Sequence, residues 1–577
     1  MSKRMFLFLF LLFSIPITAS ADLNEIASIK NDKIEVGIDA RGNLQVLKNL
    51  KTGHNYAGGS ALWRLYFDRK DGQKENVITG SENRPKISMK NNSIQLDYDQ
   101  LHCGEESLRY SLSLEIRLEG ELVRFSSVIK NEEEHTIVRE LQYPLVGDLS
   151  MVPDQKLLST HLGGFTYQNP VDYVVRVGNA PPYMGPGQIM REYQVKYPSH
   201  TMSNCSALIG SKEGLYIGSH DLTFQDTIHG FRVWPDKNRE FNRFEIGLYK
   251  YPNCTCGKEW KCDANVLAPY CGDWHETSRI YRKWADTWWS KRPTPDWIKK
   301  MTGWQRLIFR HQYGETFFKY TDLNGKIKNA GFDAGVKTVL AFGWWNSGMD
   351  NGYPDSYFIT DPKQGGDQAW KKEIAKYQAD GGRLLLYYNG KLIDRTSPFY
   401  RSGAANDLIF HDNTGGEHLE AYRFSGTGTF TKNHNSRSFV VADTRTKIWR
   451  QWLVRMLQRG LDFNVDGIFY DQLGYAEDMS TWDNTGEFPI PNLCLIKDKA
   501  DTLKMLHDYL DVHADPHVAL GTENLADVVA QHVDYIHALS GAYGGGHLID
   551  WTRFTFPEVV FSDRDLRDDT DAVNRVN

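Results

Sequence analysis

From Asp22 to about Pro269 apolar residues recur at every second position. Ile34, Val36 and Ile38 do so before the turn Arg41-Gly42-Asn43. Leu112, Leu114, Ile116 and Leu118 do so before Glu119-Gly120-Glu121. Period-two patterning with glycine-centred turns predicts half-buried antiparallel strands packed as a β-sandwich. No long helix is expected before Asp273.

The period then changes. Ile280, Tyr281, Trp284 and Trp288 share one helical face, Asp273 and Glu276 have the spacing of a capping box, and Pro293 and Pro295 follow. Beyond Met301 short apolar runs alternate with amphipathic helices. The expected strands are Leu307–Phe309, Val336–Phe342, Leu384–Tyr388, Val465–Asp471, one opening at Val518, Val533–Ala538 and Val559–Phe561. The helix before the fourth strand carries Ile448, Trp449, Trp452, Leu453, Met456 and Leu457 and is expected to stop at Gly460. Repeated βα units predict a parallel sheet, and this number of them predicts a (β/α)8 TIM-type barrel. Only a charged tail follows Phe561, so the barrel is expected to be truncated before strand eight, with an incomplete C-terminus. The expected domain map is a signal peptide over 1–21, a β-sandwich over 22–272, a linker helix over 273–300 and a catalytic barrel over 301–577.

Composition refines this picture. Lys3 and Arg4 precede the apolar run Met5–Ile17 and then Ala19-Ser20-Ala21, the layout of a cleaved signal peptide, which predicts an exported, periplasmic or extracellular protein. A net charge of -6 gives no sign of a nucleic-acid partner. No later segment is apolar enough to be expected to span a membrane. Four of the seven cysteines, Cys254, Cys256, Cys262 and Cys271, lie close together, and in an exported chain disulfides are favoured over zinc.

The chemistry gathers where strands end. Val465-Asp466-Gly467-Ile468-Phe469-Tyr470-Asp471-Gln472 carries acids at both ends, and Asp471 leaves the strand on the edge where parallel α/β proteins place their sites. Gly521-Thr522-Glu523-Asn524 ends the next strand with a second acid. Two carboxylates on adjacent strand ends suit glycoside hydrolysis, with Asp471 as nucleophile and Glu523 as acid/base. The structural alternatives are a strand-end ion pair for Asp471 and a helix N-terminal acid for Glu523. Trp344, Trp345, Asp350, Asp355 and Asn389, with Tyr470, Gln472 and His537, are the expected sugar contacts. For the tryptophans the alternative is a core pair, and for Asn389 a turn residue. The loop from Lys391 to Val440 is expected to shape substrate access. No cofactor or metal is called for, although acidic loops could hold a structural Ca²⁺.

Several segments carry a resemblance: Cys271-Gly272-Asp273-Trp274-His275, Gly343-Trp344-Trp345 onward to Pro354, Tyr388-Asn389-Gly390, Gly467 to Gln472, and Thr522-Glu523-Asn524. With these the chain resembles a family of exported glycoside hydrolases of glycan-degrading bacteria catalogued as a domain of unknown function. More distantly it is similar to endo-α-N-acetylgalactosaminidases and other α-glycosidases. The resemblance implies a galactose-mutarotase-like sandwich before the barrel, a nucleophilic Asp on strand four and an acid/base Glu on strand five, the positions of Asp471 and Glu523. The α-galactosidase clan carries an Asp on strand six, where this chain has Ile536-His537-Ala538. The expected function is a retaining glycoside hydrolase acting on an oligo- or polysaccharide, at an α-linkage. The alternative is a non-catalytic glycan-binding protein with a truncated or decayed barrel.

Overall fold

The computed structural model describes residues 26–562 apart from 70–74, 162, 180–189, 200, 312–313, 424–435, 478–479, 483–490, 525 and 538–545. The signal-peptide segment, the charged tail and Ala538 lie outside the described residues.

The protein is β-rich as far as Cys271. A ten-stranded sheet includes Tyr110–Glu119, Leu122–Asn131 and Lys258–Cys271, and a seven-stranded sheet includes Arg64–Arg69, Thr136–Val146 and Phe241–Lys250. Along Tyr110–Glu119 buried and partly exposed residues alternate without a break, as the period-two pattern requires. Leu114 and Ile116 of the first sheet share a core with Leu65, Phe67 and Ile246 of the second. Among the described residues one α-helix, Pro170–Val177, interrupts this region.

None of the seven cysteines is disulfide-bonded, contrary to the expected pairing. Cys262 and Cys271 lie on the same strand. Nine residues of extended chain separate them by about 30 Å, far beyond the reach of a disulfide.

Helix α1 (Trp274–Ala285) begins where the sequence places it, and the Asp273 carboxylate accepts the His275 N–H. Seven parallel strands follow. They are β1 (Trp304–Ile308), β2 (Thr338–Phe342), β3 (Arg383–Asn389), β4 (Gly467–Asp471), β5 (Ala519–Glu523), β6 (Tyr535–His537) and β7 (Phe561–Ser562). Each pairs in parallel with the next in chain order. Between them run α2 (Lys326–Asp333), α3 (Gly366–Ala379), α4 (Lys447–Asp462) and α5 (Leu495–His513).

The sheet curls into a half-barrel. The Trp304 ring on β1 lies 6.2 Å from Phe469 on β4 and 5.3 and 5.2 Å from Tyr535 and His537 on β6. Among the described residues β1 and β7 do not pair, so a closed eight-stranded barrel is not seen. Gly460 is not a helix stop, because α4 runs on to Asp462. A Cβ at Gly460 would stand 2.2 Å from Ile468 Cδ1, so glycine lets α4 lie directly on β4. Ile448, in the first turn of α4, is 48% exposed.

Candidate active site

Side chains alternate across a strand, so on β4 Phe469 and Asp471 face the interior of the half-barrel while Tyr470 faces the helices. Asp471 sits at the strand end opposite Asn389 of β3, and Glu523 ends the neighbouring β5. The two carboxyls share a hydrogen bond. The Tyr387 hydroxyl donates to Asp471 Oδ2 at 2.7 Å. Burial pushes the Asp471 carboxyl above its ordinary range, while Glu523, Tyr387 and the cations Arg306 and Lys391 oppose that rise.

Backbone geometry holds the acids together. Gly474 N–H donates to Glu523 O at 3.2 Å. A Cβ at Gly474 would lie 2.2 Å from that oxygen and 2.1 Å from Asn524 O. The residue after each acid, Gln472 at φ 64° and Asn524 at φ 60°, adopts the left-handed conformation that costs a non-glycine residue about 1–3 kcal/mol. Strain immediately after both acids matches the habit of functional sites.

Five of the expected sugar contacts are committed elsewhere. Trp344 and Trp345 are fully buried. Trp344 Nε1 donates to Tyr387 O at 3.2 Å and Trp345 Nε1 to Asn351 O at 3.3 Å, which makes them a core pair behind β3 with no face open for stacking. Tyr470 is buried, and its hydroxyl donates to Leu453 O at 2.6 Å on α4, away from the acids. Asp355 accepts Phe399 N–H at 2.9 Å and fixes the turn Pro398–Arg401. Asn389 Oδ1 accepts Lys391 N–H at 3.0 Å and Leu392 N–H at 2.8 Å, and its amide donates to Gln472 Oε1 at 3.1 Å, the turn role given as its alternative.

Three other predicted residues stay near the acids. Gln472 follows Asp471 and donates to Glu420 Oε1 at 3.3 Å. His537 faces the interior, with its ring 6.1 Å from that of Phe469. Asp350 is buried, accepts the Tyr353 hydroxyl at 2.9 Å and bears electrostatically on Tyr387.

Sequence reasoning missed a buried ionic group beside the acids. Lys391 Nζ lies 2.8 Å from Glu420 and 3.3 Å from Glu477, and Lys499 Nζ lies 2.7 Å from the same Glu477 oxygen. Burial disfavours both lysine charges. For Lys391, Glu477, Tyr475 and Glu420 outweigh burial and hold the ammonium above its usual range, whereas Lys499 settles at about 8. Burial would lift Glu477, but Lys499 and Lys391 bring it to about 2. Lys499 also donates to Gln472 O at 3.0 Å and Tyr475 O at 2.7 Å, bracing the turn that follows Asp471. Glu420 arrives from the long loop, which folds as a three-stranded antiparallel sheet of Leu392–Asp394, Leu419–Arg423 and Ser436–Val441. Residues 424–435 of the loop lie outside the described residues.

Residues 262–563 match the family described as Domain of unknown function (DUF6259). The chain belongs to that family. In this DUF6259 protein the match starts in the last strand of the β-rich region and takes in all seven parallel strands. No curated protein matches the sequence. Among solved structures, the α-N-acetylgalactosaminidase NagBb from Bifidobacterium bifidum in complex with GalNAc is similar at TM-score 0.67 and 10% identity, over 92% of this chain and 84% of that one. Its ligand-free form gives TM-score 0.67 and 10% identity over 92% and 85%. At such identity the likeness establishes a shared fold.

Proposed function

We propose that this DUF6259 protein is a retaining glycoside hydrolase acting on an α-linked oligo- or polysaccharide, with Asp471 as nucleophile and Glu523 as acid/base. The observation that carries the reading is the hydrogen-bonded pair of carboxyls on adjacent strand ends. Two carboxyls in contact hold one proton between them. Asp471 also accepts the Tyr387 hydroxyl and feels Arg306 and Lys391, so it is the better-stabilised anion and the proton belongs on Glu523. Carboxyls on the ends of adjacent strands suit the separation of about 5–5.5 Å of a retaining pair rather than the about 6.5–9.5 Å of an inverting one, which favours retention.

In the first step Asp471 attacks the anomeric carbon while Glu523 gives its proton to the departing glycosidic oxygen. In the second, Glu523 takes a proton from water, the resulting hydroxide displaces Asp471, and the sugar leaves with its starting configuration. The bifidobacterial neighbour is named for α-linked N-acetylgalactosamine, so α-N-acetylgalactosaminides belong among the first substrates tried. We further propose that the half-barrel belongs to a (β/α)8 barrel, that the β-rich region is a mutarotase-like sandwich joined through the segment 273–300, and that the protein is exported.

The test is release of aryl α- and β-glycosides and extracted glycans by wild type, Asp471→Asn and Glu523→Gln. Wild type should turn over and Asp471→Asn should not. Glu523→Gln should lose about 10²–10⁴-fold on poor leaving groups and much less on dinitrophenyl glycosides, which need no acid. Equal turnover by wild type and Asp471→Asn rejects the assignment. Sugar binding without turnover by folded wild type favours a binding protein.

A further inference from the structure

The chemistry proposed above uses Asp471 as an anion, yet burial works against its ionisation. Something must supply compensating charge. Lys391 is placed to do so. Its side chain is 3% exposed, and it stands two residues beyond Asn389, the register partner of Asp471. The intervening Gly390 donates its N–H to Asp471 O at 2.9 Å, and a Cβ there would stand 2.4 Å from Leu473 Cγ, so the β3 turn is clamped against the β4 turn.

We propose that Lys391 is a positioning residue that keeps Asp471 ionised, and that Glu420 and Glu477 set how much of its charge reaches that carboxylate. The proposal rests on the reading of Asp471 as nucleophile. Charged and titratable groups come from every neighbouring element. They are Arg306 on β1, Asp350 after β2, Tyr387 on β3, Glu420 on the inserted sheet, Tyr475 and Glu477 after β4, Lys499 on α5 and Glu523 on β5. Lys391 and Lys499 balance Glu420 and Glu477 in number, so removing any one of the four leaves a net charge beside the acid pair. The arrangement also gives the inserted sheet a role. Through Glu420 it reaches both Lys391 at 2.8 Å and Gln472 at 3.3 Å, so the position of that sheet sets the field at the nucleophile.

The two charge-removing variants have opposite signs, which a purely structural network would not produce. Lys391→Met removes the cation, so the acidic limb of the kcat/KM profile should move up by about one pH unit, about tenfold less activity on that limb. Glu420→Gln removes an anion, leaves Lys391 less neutralised, and should move the limb down. Both are measured in the full-length protein on an aryl glycoside, after circular dichroism establishes folding. A folded Lys391→Met with the wild-type limb overturns the proposal. Should Lys391→Met fail to fold, Glu420→Gln decides: a downward shift supports the proposal, and an unmoved or raised limb overturns it. Failure of the underlying reading looks different, because then either the wild type shows no turnover or Asp471→Asn retains it, whatever happens to these profiles.

Discussion

At the scale of single residues, the glycine at 474 lets the two strand ends that carry the acids meet. Its missing side chain lets the turn after β4 rest on the backbone of Glu523 and Asn524, with a virtual Cβ only 2.2 and 2.1 Å from their carbonyl oxygens. Those atoms are backbone and cannot rotate away, so Gly474→Ala must push the β5 end outward. A displacement near 1 Å at reacting groups costs about 100-fold in rate, and an overpacked site loses about 1–3 kcal/mol of stability. Gly474→Ala should therefore lower kcat on the order of 100-fold while the protein still unfolds cooperatively, as kinetics and urea titration would show. Wild-type kcat in that variant would mean that the turn does not position Glu523. The two left-handed residues after the acids belong to the same local design, since each turns the chain sharply enough to leave its carboxylate at the rim.

At the scale of elements, strand alternation sorts the residues around β3 and β4. Once Asp471 is inside, Tyr470 must point to the helices, and its bond to Leu453 follows. Tyr470 is nonetheless among the sugar contacts expected from sequence, whereas all seven strands in their order and the two acids at neighbouring ends were legible in the sequence. Trp344 and Trp345 were not, because a tryptophan pair after a strand looks the same whether it faces a sugar or a core. Packing decides it: Trp345 stands edge-on to Tyr357 at 4.8 Å and lies below Tyr387, the residue that holds Asp471. Trp345→Ala should cost about 3–5 kcal/mol of stability, read from the denaturation midpoint, by the cavity it opens. A sugar platform would instead raise KM and leave stability unchanged. The lysine–glutamate network was invisible for a different reason. Its four members, Lys391, Glu420, Glu477 and Lys499, are scattered over more than a hundred residues, and each looks like an ordinary surface charge until the fold buries it.

At the scale of the whole molecule, the β-rich region and the half-barrel meet around one buried carboxyl. Asp527, after β5, accepts the Tyr197 hydroxyl at 2.7 Å from the β-rich region and the Tyr281 hydroxyl from α1, and Trp289 Nε1 donates to its carbonyl at 2.9 Å. Near it Lys196 donates to Glu477 O at 2.8 Å, so the same contact reaches the network behind the acids. Burial lifts the Asp527 carboxyl to about 6, even though both tyrosine hydroxyls and the Val528 N–H favour the anion. The unfolded chain has an ordinary aspartate near ~3.9. The fold thus binds this proton more tightly than the unfolded chain does. The stabilisation is fully present below about pH 4 and is lost as pH rises through 6, by about 3 kcal/mol in all. Asp527→Asn cannot titrate, so the difference in unfolding free energy between it and wild type isolates this group from the other buried acids. That difference should move in favour of the variant between pH 4 and pH 7, in denaturant titrations at each pH. Parallel profiles would show that Asp527 is ionised throughout and that the tyrosine hydroxyls hold the two regions together through a permanent anion.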